Sequence, residues 1–140
     1  MTRENDVRSA ARITFAALGL LAALAAPAAR AGDFDGSKPL ICAPVEVVDC
    51  VPGVPCFADT PQEMGAPRFL RIDFARKVVS GPKHEAKIAA LETSERQLLL
   101  QGVEAGHAFS IALDREGGRM TATLSDASGA FVLFGSCTPL

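Results

Sequence analysis

Four cysteines, Cys42, Cys50, Cys56 and Cys137, and two histidines, His84 and His107, carry the most versatile side-chain chemistry in this 140-residue chain. Their spacing argues against metal and redox sites. There is no Cys-x-x-Cys for a zinc knuckle or a thioredoxin-like pair, and no Cys-x-x-Cys-His for haem. An even number of cysteines then reads as two structural disulfides. Four cysteines allow three pairings, which sequence alone cannot separate. The favoured one joins Cys50 to Cys56, because only Val-Pro-Gly-Val-Pro intervenes and Pro52, Gly53 and Pro55 favour a tight bend. Cys42 would then meet Cys137 and tie the first strand of the chain to the last.

The other candidates for chemistry are few. His107 opens a strand pattern just after Gly106 and shares its face with Phe109, Ile111 and Leu113, a place for an acid, a base or a ligand contact at a barrel mouth. Arg68, Arg71 and Arg119 could grip an anion with two donors each, although cross-strand pairing with Asp73 or Glu92 explains them as well. Gly-x-Ser-x-Gly and Ser-x-x-Lys are both absent. Asp33-Phe34-Asp35-Gly36-Ser37 begins like a calcium loop, but its glycine comes too early and Pro44 stands where the bidentate glutamate belongs. Without Tyr or Trp the chain lacks the usual platform for stacking sugars. No catalytic, cofactor or metal residues are assigned, and the expectation is a protein that is not an enzyme.

Disulfides need an oxidising compartment, and the first 31 residues supply the route to one. Arg3, Arg8 and Arg12 precede the apolar run Ile13 to Ala26, and Ala29-Arg30-Ala31 is a small-x-small cleavage site. The run is about 14 residues, shorter than the roughly 20 that span a bilayer as a helix. Residues 1–31 are therefore expected to be a Sec-type signal peptide cleaved after Ala31, leaving no stable membrane anchor and a periplasmic or secreted protein. The remaining 109 residues hold 10 basic and 14 acidic side chains, a charge of about −4 with no long block of either sign. Nucleic acid is therefore not expected as a partner.

The elements that must position these residues read as strands. Arg68 to Phe74, His107 to Asp114 and Arg119 to Ser125 alternate apolar and polar residues with period two. Between the patterns lie turn clusters such as Gly81-Pro82, Glu104-Ala105-Gly106, Glu116-Gly117-Gly118 and Asp126-Ala127-Ser128-Gly129. Further strands are expected near Ile41 to Val48, Lys77 to Ser80, Ala86 to Glu92, Gln97 to Val103 and Ala130 to Cys137. Good helix formers in Glu85 to Leu91 compete with the strand assignment there. Thr60-Pro61-Gln62-Glu63 carries a capping-box pattern, read either as a short helical lid or as an ordered surface loop.

The expected fold is all-β: an antiparallel meander of about eight strands, curled into a small barrel or folded as a sandwich and stapled by disulfides. Residues 32–39 are expected to be a flexible N-terminus and residues 40–140 a single β domain.

Three runs, Phe34 to Ala43, Arg68 to Phe74 and Phe134 to Thr138, resemble a group of small exported bacterial proteins of uncharacterised function. That resemblance implies export and no particular activity or site. In size, export and strand count the chain also resembles the small disulfide-bearing barrels that bacteria secrete as lysozyme inhibitors, which implies a scaffold that presents loops to a partner. The functional expectation is a non-catalytic binding module in the bacterial periplasm or envelope, contacting a protein or envelope component. The alternatives are a carrier of a small apolar ligand, with Gly102, Ala108, Ala112 and Ala122 leaving room inside a barrel, and an inhibitor of a cell-wall hydrolase.

Overall fold

The computed structural model describes residues 32–140. The expected signal peptide and its cleavage site lie outside the described residues. The described chain forms one antiparallel sheet of ten strands: β1 (Leu40–Cys50), β2 (Phe57–Asp59), β3 (Leu70–Asp73), β4 (Val78–Ser80), β5 (Glu85–Lys87), β6 (Ala90–Thr93), β7 (Gln97–Glu104), β8 (His107–Asp114), β9 (Arg119–Ser125) and β10 (Ala130–Pro139). The spatial order is β5-β4-β3-β1-β10-β9-β8-β7-β6, with β2 added to the second half of β1.

The sheet curls into a half-barrel because its two ends are one continuous piece of chain. Ile88 donates its N–H to Lys77 O, continuing the β4–β5 ladder, and the next residue, Ala89, donates to Gln101 O and begins the β6–β7 ladder. The single strand expected over Ala86 to Glu92 is therefore split into β5 and β6 by a change of partner. Gly102 makes this crossing possible. A Cβ at that position would run into the Lys87 carbonyl and the Phe109 ring, so only glycine lets β5 lie across β7.

Alternation along each strand sends one set of side chains inward. Leu40, Cys42, Val47, Ile72, Leu98, Leu100, Leu113 and Met120 are at most 2 % exposed and fill the interior with Ile111, Ala122 and Leu133. Ala108 and Ala112, expected to leave room inside, project outward instead, opposite the polar Ser125 and Thr121 of β9. In β1 the alternation breaks at a bulge between Pro44 and Glu46, which pushes Val45 into solvent and returns Val47 to the core. Pro44 has no N–H to give to the ladder, so the irregularity falls where pairing is already weakest.

Both disulfides form as favoured, Cys42 to Cys137 and Cys50 to Cys56. The first joins residues directly opposite each other in the β1–β10 pair. Residues 32–39, read as a flexible N-terminus, run as turns, with Phe34 packed on the core and Ser37 N–H donating to Asp35 Oδ1 at 2.8 Å. Residues 61–65 form hydrogen-bonded turns and no helix, so the segment is the ordered surface loop of the two readings. Met64 N–H donates to Thr60 O and Ala66 N–H to Pro61 O, while Met64 and Ala66 rest against the core. Thr60 Oγ1 accepts from Glu63 N–H at 3.4 Å, the N-cap half of the pattern read in the sequence.

Candidate functional site

The four polar residues singled out from the sequence do not converge. His107 begins β8 at one end of the β8–β9 hairpin, and Arg119 begins β9 at the other. His107 Nε2 lies 3.3 Å from Asp126 Oδ2 across the neighbouring turn. Arg119 stands largely in solvent, with Nε 3.4 Å from Asp114 Oδ2. Arg68 and Arg71 are exposed on and just before β3, away from both. The expected partners were mistaken too. Asp73 accepts from the Arg76 backbone N–H at 3.0 Å, and Arg76 itself clasps both oxygens of Glu85 at 3.0 Å. No group of three or more His, Cys, Asp or Glu side chains positioned to share a metal occurs among the described residues.

The site that emerges is built from residues the strand patterns do not single out. Strand direction places three connections at the same end of the half-barrel: the Cys50–Cys56 loop, the 104–107 turn and the 126–129 turn. The loop Val51-Pro52-Gly53-Val54-Pro55 is closed covalently into a small ring, too short to fold its own valines away from water. Val51 and Val54 are 45 % and 57 % exposed, and beside them Phe57 and Phe131 are 54 % and 36 % exposed. Phe57, Asp49, Phe131, Leu124 and Phe109 are consecutive partners across β2, β1, β10, β9 and β8. That row shares one face of the sheet and runs from the buried Phe109 out to the open Phe57.

The neighbouring turn is rigidly held. Asp126 Oδ1 accepts from Ser128 N at 2.7 Å, Ser128 Oγ at 2.6 Å and Gly129 N at 3.1 Å. The Ser128 hydroxyl foremost, then the two backbone donors, hold the Asp126 carboxyl below the usual carboxylate range, with His107 adding a smaller attraction.

A second concavity lies on the outer face of the sheet, a shallow groove of about 570 Å3 lined by Val45, Ala112, Thr121 and Phe134, with Arg96, Arg119 and Asp114 also contributing. It is largely open to solvent.

A signal for the apolar end was present in the sequence: valines inside a seven-residue disulfide ring have nowhere to be buried. The flanking of Asp49 by Phe57 and Phe131 had no such signal, because it depends on the register of β2, a three-residue strand with no period to read.

No known protein family, curated protein or solved structure matches the chain.

Proposed function

We propose that the protein is an exported, non-catalytic binding module of the bacterial periplasm or envelope, and that it grips a protein partner with the disulfide-closed end of the half-barrel. The observation that carries this reading is the exposure of Val51, Val54, Phe57 and Phe131 together on that end. Burying a fully exposed Val or Phe side chain contributes about 1.5–3 kcal/mol, so each of these half-exposed ones forgoes roughly half of that, and four of them gathered on a covalently fixed end form a surface that gains by being covered. The fixed loop also loses little entropy on binding.

Two disulfides suit an oxidising compartment. The basic, apolar and small-residue succession of residues 1–31 supports Sec-type export with cleavage after Ala31. The interior occupied by Leu98, Leu100, Leu113 and Met120 favours binding at the surface over carriage of an apolar ligand inside. Inhibition of a cell-wall hydrolase is a special case of the same reading, with the hydrolase as partner.

A photo-crosslinking residue at Val54 in cells tests the proposal, with Glu116 at the opposite end of the β8–β9 hairpin as control. We expect one discrete envelope adduct from position 54 and none from position 116. Equal labelling from both positions, or none from 54, would count against a dedicated binding end. A small molecule retained in the native mass spectrum would favour the carrier.

A further inference from the structure

In the register of the sheet, Asp49 of β1 is paired with Phe57 of β2 on one side and Phe131 of β10 on the other. Directly opposed residues of antiparallel strands project from the same face, so the carboxylate stands between two rings separated by two strand spacings, about 10 Å. Both rings are open to solvent. Asp49 enters none of the side-chain hydrogen bonds found at the neighbouring turn and none of the ion pairs among the described residues.

Acidic side chains predominate around this position, where His107, held against Asp126, is the one basic side chain. The segments that build the end, residues 49–57, 103–108 and 125–131, contain Asp49, Glu104 and Asp126 and neither Lys nor Arg. The ten Lys and Arg residues after position 31 fall at 38, between 68 and 87, and at 96, 115 and 119. A carboxylate flanked by two aromatic faces is complementary to a cation, since each ring attracts positive charge over its face and the carboxylate accepts charge-assisted hydrogen bonds. The gap suits a guanidinium, which is planar and can stack and donate at once.

We infer that this end receives an Arg or Lys side chain of the partner protein, with the cation between Phe57 and Phe131 above Asp49 and adjoining apolar residues of the partner on Val51 and Val54. The inference rests on the binding reading above and gives the partner a chemistry: an apolar segment carrying a basic residue. The three acidic side chains oppose an anionic lipid surface, which is the competing occupant.

Amide chemical shifts of the folded protein can be followed during titration with N-acetyl-arginine methylamide, with N-acetyl-glutamate methylamide as the opposite probe. The arginine probe should move Asp49, Phe57 and Phe131, and the glutamate probe should not. Asp49→Asn should weaken the response about tenfold, the order of one charge-assisted hydrogen bond, with the unfolding midpoint unchanged. Phe57→Leu should weaken it with the carboxylate still in place. Equal response to both probes, an unaltered response in Asp49→Asn, or binding to phosphatidylglycerol vesicles in place of the arginine probe would overturn the clamp. The crosslinked partner separates the two levels. A partner captured at Val54 that binds Asp49→Asn as tightly as the parent removes the clamp alone, whereas no partner at Val54 removes the binding module with it.

Discussion

Asp126 shows how much a single exposed residue can organise. Its carboxylate holds the turn at the disulfide-closed end through three donors and keeps a depressed pKa as a result. Because the folded value lies below the unfolded one, the contribution to stability is present above the unfolded pKa of about 3.9 and is lost as pH falls through the folded value. Acid should therefore loosen this turn only once the pH has fallen below the ordinary carboxylate range. Amide exchange at Ser128 and Gly129 should accelerate as pH drops through that window beyond the intrinsic pH dependence of exchange, and Asp126→Ala should exchange fast at every pH. Unchanged protection in that variant would show that the β9–β10 pairing alone holds the turn. A similar balance operates at Asp114. There desolvation pushes the carboxyl up, but donation from Gly117 and Glu116 N–H and from Arg119 outweighs it and the net shift is downward.

At the scale of elements, the crossing of β5 over β7 depends on Gly102. Gly102→Val would force the Lys87 backbone and the Phe109 ring apart, and overpacking of this kind costs about 1–3 kcal/mol. The matched change Ala108→Val, one pair further along the same hairpin and facing solvent, should cost little. Comparable unfolding midpoints for the two variants would mean that the seam yields without strain. These elements also mark what could be read in advance. β8 and β9 alternate cleanly over seven or eight residues bounded by turn clusters, and their limits coincide with the expected ones. The β5–β6 split was hidden because a change of hydrogen-bonding partner leaves no mark on residue type. β2 was hidden because three residues are too few to show a period. The bulge after Pro44 blurred the pattern of β1, where Val45, Val47 and Val48 look interchangeable and only Val47 is buried. The candidate site was less legible than the fold for the same reason: Asp49, Phe57 and Phe131 meet only through register.

At the scale of the whole molecule, the two disulfides do different work. Cys42 to Cys137 closes a separation of 95 residues, worth about 4–5 kcal/mol by the chain-entropy estimate, and Cys50 to Cys56 closes a separation of six, worth about 2–3. Cys137→Ser should therefore lower the unfolding midpoint more than the Cys50→Ser/Cys56→Ser pair. The second variant should lose partner capture at Val54 while remaining folded. Equal midpoints would place most of the stability in the sheet itself.

The bond between the first and last strands has a further consequence for survival among proteases. Between residues 42 and 137 the polypeptide is a covalent ring, so a cut in any one of its exposed turns opens the ring without releasing a fragment. A nicked molecule keeps its mass apart from one added water, keeps both strands of its central ladder, and comes apart only after a reductant or a second cut.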